Sequence, residues 1–171
     1  MRPHAFLTTL LLGAALAACS GSQASVAGDA APGPATTAAA PVPNDGRAIE
    51  IGADDTMKFS TVEIRARAGE RLSVTLVNKG VTPKFSMGHN WILLTAGANT
   101  DEFLTAAAES PTTDYVPAAR KAQILAATRL LGPGERDTAT FTASSTPGRY
   151  PFLCSYPGHA QVGMRGVLIV E

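Results

Sequence analysis

From Arg47 onward, apolar and polar residues alternate with a period of two, and turn residues break the alternation into short runs. Leu72, Val74 and Leu76 alternate with Arg71, Ser73 and Thr75; Val62, Ile64 and Ala66 with Glu63, Arg65 and Arg67; and Ala139, Phe141 and Ala143 with Thr138, Thr140 and Thr142. Successive side chains of a strand point to opposite faces, so each run predicts a strand with one face in a core and one in water. Ile49–Ile51, Trp91–Leu93, Ile124–Leu130 and Val167–Val170 add further strands, and Gly132-Pro133-Gly134 and Thr146-Pro147-Gly148 read as turns. About eight short strands with this punctuation predict an all-β domain, a Greek-key sandwich or barrel.

Residues 96–120 interrupt the rhythm and are too many for a hairpin loop. Asn99 followed three residues later by Glu102 has the form of a helix N-terminal cap. Phe103, Leu104 and Ala106 to Ala108 can form about two turns before Pro111 stops them. The segment is therefore expected to be a flap carrying one short helix packed on the barrel.

The first 46 residues follow other rules. Met1-Arg2-Pro3-His4 is a short cationic start, Phe6 to Leu16 an apolar run, and Leu16-Ala17-Ala18-Cys19 a small-residue cleavage site with the form of a bacterial lipobox. The expectation is a lipoprotein signal peptide at 1–18 and acylation of Cys19. Residues 20–46 are dominated by Ala, Pro, Gly, Ser and Thr and offer almost nothing to bury, so 19–46 is expected to be an acylated cysteine on a disordered tether, spanning ~30 Å as a random coil. The folded domain would then occupy 47–171.

Fourteen basic residues balance fourteen acidic ones, which gives no reason to expect nucleic acid as a partner. Histidine and cysteine are scarcer and more telling. Of three histidines and two cysteines in the chain, His89, His159 and Cys154 fall within the predicted domain. Cys154, His159 and Met164 lie along one turn-rich loop before the last strand, with Pro157 and Gly158 permitting a sharp turn between the first two. His89 is 65 residues upstream of Cys154, where a Greek key can bring it across the barrel end. Two imidazoles and one thiolate, with a thioether along the axis, suit a redox-active copper in both Cu(I) and Cu(II); zinc could also occupy such ligands, but the single thiolate and thioether favour copper.

Two separated motifs, Met87-Gly88-His89-Asn90-Trp91 and Cys154-Ser155-Tyr156-Pro157-Gly158-His159, strongly resemble the azurins, cupredoxin electron carriers of bacterial periplasms. The likeness extends to Asp55-Thr56-Met57-Lys58-Phe59 and Leu131-Gly132-Pro133-Gly134-Glu135-Arg136-Asp137. The resemblance implies His89, Cys154 and His159 as copper ligands, Met164 as the axial thioether and the carbonyl of Gly88 as a weak opposite contact. It further implies Asn90 bonding across to Ser155 in the cysteine loop, and backbone N–H groups of Asn90 and Tyr156 directed at the sulfur. Three departures stand out. Four residues rather than the usual three separate His159 from Met164, as in plastocyanins. The two cysteines of the usual azurin disulfide are missing. Pro151 lies in the strand leading to Cys154, which calls for an edge position or a bulge.

The function implied is one-electron shuttling in the bacterial cell envelope by a monomer held by its lipid anchor, the outer membrane being favoured. Redox proteins such as cytochromes, oxidases, reductases or peroxidases would be its partners. They would dock on an apolar patch around His159 made of Pro83, Met87, Pro157, Gly158, Ala160 and Val162, with an imidazole edge of His159 near solvent. A copper-storage protein would be expected to offer a Met- or His-rich site, and a copper enzyme needs a second metal with further histidines; the domain supplies neither, so a non-enzymatic carrier is expected.

Overall fold

The computed structural model describes residues 46–171. The expected signal peptide, Cys19 and the tether up to residue 45 lie outside the described residues. Eight strands form two sheets: β1 (Arg47–Ala53), β2 (Glu63–Ala66), β3 (Arg71–Asn78), β4 (Ile92–Leu94), β5 (Ile124–Ala127), β6 (Arg136–Thr142), β7 (Gly148–Leu153) and β8 (Arg165–Val170). One sheet has the order β1-β3-β6 and the other β2-β8-β7-β4-β5. β1 and β3 are parallel neighbours because β2, between them in sequence, crosses to the opposite sheet before the chain returns. β8 lies parallel to β2 and antiparallel to β7. The result is an all-β Greek-key sandwich.

The alternation read from the sequence is the register of this core in its apolar positions on β3 and β6. Val62, expected inward, instead precedes β2 and is 53% exposed, and Ser73, expected outward, is buried. Leu72, Val74 and Leu76 face inward from β3, and Ala139 and Phe141 from β6 opposite them. Between the sheets Trp91 is fully enclosed, its ring 5.9 Å from Phe141 and 5.5 Å from Phe152. A side chain of that size sealed into one cavity makes Trp91 the centre of the packing that carries His89 and Asn90, its sequence neighbours.

A short helical turn, α1 (Lys84–Met87), precedes β4, and the flap contains helix α2 (Thr100–Ala108), capped as expected: the Asn99 side chain accepts from the backbone N–H groups of Asp101 and Glu102 and donates to the Glu102 carboxylate. Phe103, Leu104 and Ala107 share one face of the helix, and that face packs on Ile92, Leu94, Leu153 and Ala160 in a second apolar cluster. A 3-10 turn begins at Pro111 and a second spans Ala118–Gln123.

Three further expectations need correction. β5 ends at Ala127, not Leu130. Thr128 turns inward to accept from the Trp91 N–H through its hydroxyl, and Leu131 then forms an isolated bridge with His89. Pro151 sits neither on an edge strand nor at a bulge. β7 is interior and pairs with β8 in unbroken register, but β4 reaches only Phe152 and Leu153, so on that side the ladder has ended before Pro151. A residue without an N–H is tolerated there because no partner strand asks for one. Finally, Ala160 does not contribute to an exposed patch: it is 0% exposed, buried against α2.

Candidate metal centre

The site is assembled from two segments that the sandwich brings to one end. The first is the short helical turn α1 (Lys84–Met87) followed by Gly88, His89 and Asn90. Gly88 has no room for a side chain, since a Cβ would lie 2.7 Å from the Lys84 carbonyl and 2.9 Å from Leu130. His89 is then fixed by reciprocal backbone bonds with Leu131 at 3.1 and 2.7 Å, and the Leu131 carbonyl also accepts from the buried Asn78 amide at 3.1 Å. The second segment is the loop from Cys154 to Met164. Its first turn closes where the His159 N–H donates to the Tyr156 carbonyl, with Gly158 in the left-handed region at φ 86°.

The longer gap before Met164 has a local solution. Val162 N–H donates to the Gly158 carbonyl and Met164 N–H to the His159 carbonyl, so the extra residue is absorbed in one wide turn. Gly163, at φ 102°, completes it, and the Lys58 ammonium donates to the Val162 carbonyl from outside. Cys154 N–H then donates to the Met164 carbonyl at 3.0 Å, which closes the loop end to end and holds the fully buried Met164 beside Cys154.

One potential ligand atom each from His89, Cys154 and His159 lie within 4.8 Å of one another, the only such group among the described residues. The Cys154 sulfur is 3.6 Å from His159 Nδ1, and the two imidazole centroids are 5.0 Å apart. Neither nitrogen of His89 has a hydrogen-bond partner although the residue is 0% exposed; the Asp54 carbonyl lies near enough to favour the charged ring without meeting hydrogen-bond geometry. Buried polar atoms are rarely left unpaired unless something else satisfies them. Two imidazoles and a thiolate, with a buried methionine bonded through its backbone to the cysteine, are a donor set that copper takes and that magnesium or calcium does not. The residues present therefore fit a copper ion.

Electrostatics agree with a ligand role. Burial pushes the Cys154 thiol up to about 12, against the opposing pull of the Asn90 and Tyr156 backbone N–H groups on the sulfur. Burial, and then the neighbouring His89, push His159 down to about 4; burial also lowers His89. All three groups are thus neutral at pH 7 without metal, and binding must displace the thiol proton. A prediction follows for the metal-free protein. The folded pKa of His159 lies below the ordinary ~6.5, so the unfolded chain takes up that proton first. The stability is fully present above pH ~6.5 and falls as pH drops toward about 4, by roughly 3 kcal/mol from this residue. His89 acts in the same direction. The depressed carboxylates Asp54, Asp55, Glu70 and Glu135 act lower, below their ordinary range near 4. Urea unfolding of apo protein at pH 7 and 4.5 measures the histidine part, and an unchanged midpoint would contradict it.

Asn90 and Ser155 join the two segments in the interior. Ser155 N–H donates to Asn90 Oδ1 at 2.8 Å, Asn90 Nδ2 to Ser155 Oγ at 2.8 Å, and Asn90 Nδ2 also lies 3.3 Å from the Asp114 carbonyl in the flap. Toward solvent, the Tyr156 ring packs on His159 with centroids 4.6 Å apart. His159 is left 3% exposed, a narrower edge than the sequence suggested. Pro83, Pro157, Gly158 and Val162 are exposed nearby in sequence and Met87 is half-buried. The sequence reading missed Val81 and Phe85, which are 84% and 82% exposed on the His89 side. It also missed Tyr115, whose ring meets Tyr156 edge-on at 4.9 Å. Phe85 carried a usable signal, a large apolar residue beside Lys84 and Ser86 in a turn; Tyr115 carried none, because the flap path that places it is irregular.

A Greek-key sandwich with a buried His-Cys-His group at one end defines the cupredoxin class of copper proteins. The chain belongs to the plastocyanin/azurin family of copper binding proteins, whose family profile matches residues 47–171. Azurin from Pseudomonas denitrificans is 34% identical over 126 residues, covering 72% of this chain and 97% of that protein. Outer membrane protein H.8 of Neisseria gonorrhoeae is 32% identical over 126 residues, covering 72% of this chain and 68% of that protein. The crystal structure of dithionite-reduced auracyanin from the photosynthetic bacterium Roseiflexus castenholzii superposes with a TM-score of 0.65 at 35% identity, covering 72% of this chain and 96% of the other. This is a blue copper electron-transfer protein with a single type 1 site.

Proposed function

We propose that the protein is a membrane-tethered one-electron carrier of the bacterial envelope, shuttling between redox proteins such as cytochromes, oxidases, reductases or peroxidases. The observation that carries this reading is the buried group of two imidazoles and one thiol, with the His89 nitrogens unpaired and Met164 beside the cysteine. His89, Cys154 and His159 would hold copper, with the Met164 thioether and the Gly88 carbonyl as weaker further contacts. Copper supplies the one-electron couple. The chain supplies a buried cage for the ligands, cross-bonded between its two segments, and in His159 the ligand that lies toward the proposed docking surface. Titrating the visible thiolate-to-copper band with reductant should give one single-electron wave. Met164→Leu should keep the band and raise the midpoint potential, because a donor that helps Cu(II) is lost. A parent protein without such a band would overturn the carrier; an unchanged potential in the variant would remove Met164 from the site.

Docking would use the apolar surface of Val81, Pro83, Phe85, Met87, Pro157, Gly158 and Val162. Small wet contacts of this kind release partners quickly, which turnover requires. The Leu-Ala-Ala-Cys19 motif and the Ala/Pro-rich stretch after it support a lipid anchor on a tether, with 47–171 as the working domain. The likeness to an outer membrane protein, H.8, supports that membrane over the inner one. Cys19→Ala should release the protein from membranes while the blue band persists, since anchor and copper site occupy separate parts of the chain. Continued sedimentation of the variant with membranes would exclude Cys19 as the anchor.

A further inference from the structure

Tyr156 touches both segments that build the site. Its backbone N–H is directed at the Cys154 sulfur, its ring lies on the His159 imidazole with centroids 4.6 Å apart, and its hydroxyl donates to the Phe85 carbonyl at 2.6 Å. That last bond spans 71 residues of sequence and ties the cysteine loop to the segment carrying His89, four residues before the histidine. Tyr115 meets the same ring edge-on, with centroids 4.9 Å apart. The buried Asn90–Ser155 pair already joins the same two segments from beneath. With the Asn90 N–H also directed at the Cys154 sulfur, the two segments are bonded through Asn90 in the interior and through Tyr156 near solvent.

We infer that Tyr156 is a positioning residue, its hydroxyl acting as an outer strap that keeps the His89 and Cys154 segments from parting. Two segments held at one point can hinge about it, whereas a second bond on the solvent side removes that freedom. The hinge would open toward solvent, because beneath it Trp91 and the core allow no movement. Copper exchange needs such an opening, so the strap governs how readily the metal leaves. The inference rests on the copper reading above.

Tyr156→Phe deletes the hydroxyl and retains the ring. Tyr150→Phe is the matched control, since the Tyr150 hydroxyl likewise donates to a backbone carbonyl, that of Thr146, at 2.8 Å, in a turn that carries no ligand. In the apo proteins, amide exchange at Ser86, Met87 and His89 and at His159 should quicken in Tyr156→Phe alone. In the copper-loaded full chain, Tyr156→Phe should release copper to excess chelator about fivefold faster, the factor one net hydrogen bond contributes to an opening equilibrium. Tyr150→Phe should leave release unchanged. Equal behaviour of the two variants, or no change in either measurement for Tyr156→Phe, would overturn the strap. A parent protein that takes up copper without turning blue would overturn the copper reading instead, and apo exchange would still decide the strap.

Discussion

Replacing Cys154 by serine is expected to abolish the visible charge-transfer band and most of the copper affinity while leaving the fold in place. The band needs a thiolate bound to Cu(II), and a serine oxygen is both harder and far less acidic. Acidity matters here more than at an exposed site. Burial already raises the Cys154 thiol to about 12, so a metal must pull a reluctant proton from sulfur; from a hydroxyl in the same sealed position the cost is larger still. The loss should therefore exceed the ~10- to 100-fold that removing an outer partner of a metal ligand costs. The fold should survive because serine is smaller than cysteine and the Asn90 and Tyr156 N–H groups aimed at the sulfur can bond its oxygen. Near-ultraviolet circular dichroism checks the fold, and copper titration with absorption checks the site. An intensely blue Cys154→Ser protein would remove Cys154 from the centre of the chemistry.

How much of this was legible beforehand depends on the kind of order involved. Alternation in β3 and β6 told which side chains face inward, because a strand has a period of two and one wet face. It could not tell which strands are neighbours, so the parallel pairs β1–β3 and β2–β8 became visible only in the structure. The α2 cap was legible because Asn99 and Glu102 act within one turn of chain. The site was legible through scarcity: the described domain has one cysteine and two histidines, and all three converge. Ala160 was misplaced because a turn has no period. In the wide turn between His159 and Met164, position along the sequence says nothing about which side chain points to solvent, and the α2 face fixed that instead. Pro151 was misjudged for a related reason. Its tolerance depends on where β4 stops, which is set by a strand about 60 residues away.

The Asn90–Ser155 pair should dominate the stability of the site end. Asn90→Ala removes the acceptor of the Ser155 N–H and both partners of the Ser155 hydroxyl, and both residues are essentially unexposed, so no bulk water is at hand to replace them. Each buried polar group left unpaired costs about 1–3 kcal/mol, which suggests roughly 3 kcal/mol in total, a large part of the ~5–15 kcal/mol that holds a domain of this size. Ser155→Ala is a milder change. The Ser155 position keeps its N–H bond to Asn90 Oδ1, and Asn90 Nδ2 retains the Asp114 carbonyl at 3.3 Å, so the cost should be near 1 kcal/mol. Denaturant unfolding of the two apo variants tests the ordering without any contribution from metal. A loss in Ser155→Ala as large as that in Asn90→Ala would mean that the hydroxyl, rather than the bond to the backbone, carries the clamp. A loss below about 1 kcal/mol in Asn90→Ala would mean that water enters and the interior is not sealed there.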